Sequence, residues 1–447
     1  MSPASAPHPP GPRALPVLGS VYYYAKDPLG FLERCVREYG DVVYVEFLGQ
    51  PTFTLQRPED IEHVLVTRHQ HYIKDRVQRR LLGGRLLGNG LLTSEGEDWL
   101  HQRRLMQPAF HRQRLAAYSR VMVDQARRQL ASWKDGEVRD LYADMTRLTL
   151  GIVIQSLFGL ELEGEGGVVG PALGQVMEHF TKLQSLVLPD WVPTPSARRY
   201  RAAVARLDAF VSGLVRRRRE VGGDTGDLLS LLLEARYEDG SRMSDERIRD
   251  EVLTLALAGH ETTSINLAFC FHLLASHPEA EAALHRELDA VLGGREPTVE
   301  DLSALHYTES VVKESLRLYP PAWSISREAL DEDEIAGWRV PAGAMVVMNP
   351  WTVHRDARLF EEPEAFRPER WAGGLEQRLP RFAWFPFGGG PRLCIGSSFA
   401  LMESRLVLAM VAQRFRFERV PGDEVELLAS ITLRPKHGVK VRLRARH

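Results

Sequence analysis

The stretch that most limits what this chain can fold into lies between Ser244 and His277-Pro278. Ser244 followed by Asp245 and Glu246 reads as a helix start, because the hydroxyl caps free N–H groups and the acids suit the positive end of the dipole. His277-Pro278 reads as its stop. The roughly 33 residues between would reach about 50 Å, enough to cross a whole domain. The flanks, VLTLALA (Val252 to Ala258) and INLAFCFHLL (Ile265 to Leu274), are apolar nearly all round, so this helix is expected to be buried on most sides.

Its centre, AGHETTS, breaks that pattern with Gly259, His260, Glu261, Thr262, Thr263 and Ser264. An unpaired carboxylate there would cost several kcal/mol. Gly259 leaves room for something flat to approach the backbone, and Thr262 shares a face with Ala258 and Leu255. A mid-helix threonine can also bond the carbonyl at i−4 and loosen the ladder. The plainer alternative is that Glu261 pairs with an arginine and Thr262 is a small core residue. A zinc protease is excluded, because the second histidine of HExxH would stand at position 264, which is Ser264.

With 44% hydrophobic and 26% charged residues, the remainder of the 447-residue chain can support a deep core around such a rod. A net charge of −2 argues against nucleic-acid binding through bulk positive charge. Residues 1–20 are proline-rich and expected to form a stiff, extended leader, and residues 21–447 are expected to form one domain. DVVYVEF and TFTLQ, separated by Gly49-Gln50-Pro51, read as a hairpin. Helical spacing dominates from about 95 to 320; strand candidates return at AMVVM (Ala344 to Met348), VELLA (Val425 to Ala429) and VKVRL (Val439 to Leu443), with a last helix from about 395 to 413. The expected fold class is mainly α with a smaller β-rich part (α+β). The opening residues show neither a signal-peptide pattern nor a bilayer-spanning apolar run, so neither export nor a membrane anchor is expected.

Cys35, Cys270 and Cys394 are odd in number and widely spaced, which suits a reducing cytoplasm and suggests neither a disulfide framework nor a structural zinc site. Cys394 stands in FPFGGGPRLCIG, a setting an inert thiol does not need. A buried thiol, a histidine-activated nucleophile and a ligand to a soft metal compete here. The surroundings favour the ligand: Gly388, Gly389, Gly390 and Gly396 let backbone N–H groups approach the sulfur, and the next helix presents its positive end. A phosphate loop is disfavoured, since no lysine follows the glycines and Leu393 occupies the third glycine position of GxGxxG.

Phe387, Gly390, Arg392, Cys394 and Gly396 match FxxGxRxCxG at every fixed position, and so the chain resembles the cytochrome P450 haem-thiolate family. The resemblance covers nearly the whole sequence. In order come the PPGPRALP leader, Trp99 and Arg103 as WxxxR, AGHETT, Glu314 and Arg317 as ExxR, and FRPERW. It implies haem b with Cys394 as the axial thiolate, Phe387 shielding that side, and Trp99, Arg103, Arg327 and Arg392 holding the propionates. It also implies that Gly259 lets the long helix lie over the porphyrin, that Thr262 faces O2 and Glu261 relays protons, and that Glu314, Arg317 and Arg370 form a buried structural triad. Leu255, Ala258, Trp323, Ile325, Ile431 and Leu433 would line a pocket for a hydrophobic small molecule, with regions 75–92 and 175–195 as its lid.

The implied activity is monooxygenation of a fatty acid, terpenoid or steroid-like molecule by a cytoplasmic monomer. Electrons would come from a separate ferredoxin or flavodoxin with its NAD(P)H reductase, docking at Arg103, Arg104, Arg112 and Arg114. A peroxide-driven peroxygenase, a haem-thiolate isomerase and a non-catalytic haem sensor are the alternatives.

Overall fold

The computed structural model describes residues 8–161, 165–181, 192–223, 226–237 and 240–446. The apolar rod is a helix, Asp245–Ser276, whose first turn is capped where Arg247 N donates to Ser244 Oγ at 3.2 Å. Helix Leu141–Phe158 lies along it, and helices Pro195–Val221, His306–Leu318 and Ser397–Arg414 also pack on it. Neighbours on several sides explain why its sequence is apolar nearly all round.

Strands from distant parts of the chain share one sheet, in the order Val42–Phe47, Gln50–Leu55, Met345–Met348, Ile325–Ala329, Tyr72–Ile73. Only the 50–55 and 345–348 strands run parallel. The hairpin turns at Leu48-Gly49, with φ of 50° and 78°, rather than at the expected Gly49-Gln50-Pro51; Gln50 and Pro51 already pair with Phe47 and Glu46. Two positive φ values in a two-residue loop match the strand twist. The strand Phe415–Arg419, not anticipated from the sequence, follows the last helix directly and joins Val138–Asp140 and Lys440–Ala445 in a second sheet.

The leader is sewn to the sheet from residue 8 onward. His8 stacks on Tyr44 at 4.2 Å, Tyr44 N donates to Pro10 O at 3.0 Å, and Ser20 N donates to Glu46 O at 2.7 Å. Among the described residues no helix is long and apolar enough to cross a membrane.

Glu314 and Arg317, both without exposed side-chain surface, form a two-bond ion pair at 2.9 Å on helix His306–Leu318. The guanidinium also donates to the carbonyls of His354, Pro363 and Ala365 at 2.8, 2.6 and 3.0 Å. The carboxylate also accepts from Arg370 Nε, Trp371 Nε1 and Arg367 N at 2.9, 2.9 and 3.0 Å. Arg370 therefore completes the expected triad. Arg317→Ala should cost about 3–5 kcal/mol, because it leaves a buried carboxylate short of its main partner. Urea denaturation checks this, and a loss below about 1 kcal/mol would remove the pair from the scaffold.

Candidate active site

Cys394 closes a tight loop: its N–H donates to Phe387 O at 3.0 Å, and Leu393 N donates to Gly390 O at 3.1 Å. The glycines serve the loop more than the sulfur. Gly388 and Gly390 have φ of 69° and 63°, and a Cβ on Gly390 would lie 1.9 Å from Leu65 O. One on Gly389 would lie 2.1 Å from the Phe382 ring; only Gly396 approaches the cysteine, its Cβ position being 4.0 Å from Sγ. The four glycines are thus not all needed for access to sulfur, and three are fixed by turns and packing.

The Cys394 side chain is accessible although the fold surrounds it, so it forms the wall of an internal cleft. Burial pushes its thiol up, opposed by the Gly396 N–H and the Arg103 charge. Coordination to a metal would remove that proton.

The central helix is interrupted by a comparable opening, where Ala258 is exposed and Gly259 and Thr262 are half-buried between fully buried turns. Thr262 Oγ1 donates to Ala258 O at 2.8 Å and Thr263 Oγ1 to Gly259 O at 3.2 Å, the i−4 bonding expected of threonines here. A Cβ on Gly259 would also stand 3.1 Å from Val153 Cγ2 on the neighbouring helix, a tight contact. Glu261 is buried, accepts from Thr432 Oγ1 at 2.8 Å and lies 3.6 Å from Arg434 Nη1. Burial raises its pKa, while Arg434 and Thr432 pull it down. His260 donates from Nδ1 to Ala256 O at 2.6 Å, and burial lowers its pKa to about 4, so it stays neutral.

Positive charge gathers beside the cysteine loop. Arg103 Nη1 donates to Leu393 O at 2.8 Å, Arg392 Nη1 to Ser94 O at 2.9 Å, and Arg327 Nη1 to Ser326 O at 2.8 Å. Arg392 also pairs with Glu95 and lies over the half-buried Trp99 ring at 4.0 Å. Its pKa falls to about 10 through burial, with Glu95 opposing and Arg327 and Arg103 adding to the fall. Buried Lys74, bonded to the carbonyls of Leu91 and Leu92, is driven well below its ordinary value by burial and by Arg392 and Arg327. Among the described residues, Arg392 is the only one of these four cations in ion-pair contact with a carboxylate, that of Glu95. Such a cluster is incomplete without an anion.

A family model for cytochrome P450 matches residues 9–441. The chain belongs to the cytochrome P450 family. It is 39% identical to cyclooctat-9-en-7-ol 5-monooxygenase of Streptomyces melanosporofaciens, over 92% of this chain and 90% of that protein. It is 34% identical to pentalenene oxygenase of Streptomyces avermitilis, over 97% of each. Among solved structures, retinoic acid bound cyanobacterial CYP120A1 matches with a TM-score of 0.89 at 27% identity, covering 99% of this chain and all of that one. The enzyme is a haem-thiolate monooxygenase, and its residues fit haem: an accessible thiol in a deep cleft, an open helix face, and surplus buried cations suited to two propionates.

Of the expected pocket residues, Leu255 (7% exposed) and half-buried Ile431 lie in or against the main core, Ala258 is exposed on the central helix, and Ile325 sits 3.6 Å from the Cβ position of Gly388. Half-buried Phe387 packs at the edge of the same core. Trp323 and Leu433 are placed elsewhere: 4% and 0% exposed, they pack with Phe31, Val43 and Trp351 beneath the hairpin. Trp323 Nε1 donates to Ser430 O at 2.9 Å and Leu433 N to Pro321 O at 3.0 Å, which fixes both there instead of at the pocket wall. Lys74 and Glu95 escaped the sequence reading, since a lone lysine and a lone glutamate outside any motif carry no signal. Cys394→His is expected to abolish the red-shifted Soret band of the reduced CO complex, and its persistence would exclude Cys394 as the ligand.

Proposed function

We propose that this enzyme adds one oxygen atom of O2 to a terpenoid, with electrons from a separate ferredoxin or flavodoxin served by an NAD(P)H reductase. The overall reaction consumes two electrons and two protons and releases one water. The observation that carries the substrate class is the opening on the central helix at Ala258 and Thr262 beside buried Leu255, taken with relatives named cyclooctat-9-en-7-ol 5-monooxygenase and pentalenene oxygenase that match nine-tenths of the chain. Bound through Cys394, haem supplies oxygen activation, and the thiolate's electron donation favours O–O cleavage. Trp99, Arg103, Arg327 and Arg392 hold its propionates, and Lys74 adds charge to that set.

Thr262 presents the hydroxyl at the open face, and Glu261 stores a proton behind it. Burial raises the proton affinity of Glu261, and its Arg434 and Thr432 contacts lead toward the chain's C-terminal hairpin. In the expected lid, Asn89 N donates to Asp250 Oδ2 at 2.8 Å and Leu91 N to Glu251 Oε2 at 3.0 Å, which fastens region 75–92 to the central helix. The other lid region falls partly outside the described residues, which omit 182–191. For the redox partner, Arg104 and Arg112 are exposed, whereas Arg103 and Arg114 are committed to the carbonyls of Leu393 and Gly226. Docking of an acidic partner therefore falls to Arg104 and Arg112. A monomer in the cytoplasm fits this scheme.

Two measurements test the reading. Cyclic terpenoids should displace the iron-bound water and shift the Soret band at lower concentration than fatty acids or steroids; the reverse order would overturn the substrate class. Thr262→Ala should raise peroxide released per NADPH several-fold, and unchanged coupling would remove Thr262 from proton delivery.

A further inference from the structure

His354 follows the short helix Pro350–Val353 and takes no part in the proposed mechanism. It has no exposed surface, and its backbone is held from both sides. His354 N donates to Pro350 O at 2.9 Å, and His354 O accepts from Arg317 Nη1 at 2.8 Å. The buried ion pair of Glu314 and Arg317 therefore sets where this residue stands.

The ring reaches the other way. Phe385 N donates to His354 Nε2 at 2.9 Å, and the two rings meet edge to face at 5.4 Å. Phe385 opens the cysteine loop: its carbonyl accepts from Gly388 N at 3.0 Å, and Phe387 O accepts from Cys394 N at 3.0 Å. Pro386, between them, brings no N–H. Three hydrogen bonds thus join the ion pair to the loop, from Arg317 to His354, from Phe385 to His354 and from Cys394 to Phe387.

The Phe385 N–H needs an acceptor in an apolar place. Phe385 is 3% exposed and packs in one cluster with Val353 and Phe382, so water does not replace a lost partner, and buried backbone donors are seldom left unpaired. An imidazole nitrogen accepts only when it carries no proton. The bond therefore selects the neutral ring with its proton on Nδ1, since a doubly protonated ring would set N–H against N–H. Burial acts in the same direction and drives His354 well below its ordinary pKa, with Arg317 and Arg355 adding to the fall and backbone contacts at Arg317 and Leu316 opposing it. Nδ1 has no partner at hydrogen-bonding distance, so the bond from Phe385 is the one that fixes the ring.

We propose that His354 is a positioning residue for the cysteine loop: its neutral ring, protonated at Nδ1, accepts from Phe385 N and ties the loop to the Glu314–Arg317 pair. It acts through Phe385 and transfers no proton in the reaction.

The band arm of the test rests on Cys394 as the haem ligand; the tautomer arm does not. His354→Phe keeps a ring and removes the acceptor, whereas the amide oxygen of His354→Gln can take the place of Nε2. In the reduced CO complex near neutral pH, His354→Phe should lose the red-shifted Soret band several-fold faster than the parent on mild warming, and His354→Gln should lose it at close to the parent's rate. Parent-like decay of His354→Phe overturns the proposal. Equally fast decay of both variants shows that the ring's shape matters and its acceptor does not, which overturns it as well. Should His354→Phe fail to take up haem, His354→Leu takes its place.

In the ferrous CO holoenzyme with nitrogen-labelled histidine, the NMR signals that these substitutions remove should show a proton on Nδ1 and none on Nε2. A proton on Nε2 overturns the bond to Phe385 and the proposal with it. If the parent itself lacks the red-shifted band, the ligand assignment fails while the nitrogen spectrum still decides the state of His354.

Discussion

The Glu314 carboxylate is the point on which the site's geometry depends. It binds Arg317 on its own helix and then Arg367, Arg370 and Trp371 from the irregular chain beyond, while Arg317 holds the carbonyls of His354, Pro363 and Ala365. A buried ion pair contributes little net stability unless its remaining donors and acceptors are satisfied. Here they are, and the partners belong to the segment that leads into the cysteine loop. A stretch with few regular hydrogen bonds of its own, which leads into the Cys394 loop, is thereby fixed.

Electrostatics divides the site into two regions. Beside the loop, Arg392 and Arg327 lower the proton affinity of Lys74, and Arg327 and Arg103 lower that of Arg392, which among the described residues is the only one of the four paired with a carboxylate, that of Glu95. A bound group carrying carboxylates would relieve this repulsion. On the central helix the reverse holds: Glu261 is a carboxyl group whose burial favours the protonated form.

Much of this was legible beforehand, in particular places. The central helix declared itself because its apolar flanks and Ser244 cap are local, and the cysteine loop did so because its residues are contiguous. Trp323 and Leu433 were misplaced because an apolar side chain near a pocket reads the same as one in the core, and the hairpin cluster that claims them is assembled from residues about 400 positions apart. No local pattern shows that a Cβ on Gly259 would stand close to Val153 on another helix. Lys74 and Glu95 had no motif to announce them.

By itself, the sequence determined the long helix, the thiolate loop, the charged triad and the family, because each rests on spacing within a few residues or on a motif order that survives without coordinates. Only the tertiary structure decided that Glu261 leans on Thr432 and Arg434, and that Asn266 meets Ser404. Those relations join residues more than a hundred positions apart, and burial and hydrogen-bond partners at that range are properties of packing, which no local pattern encodes.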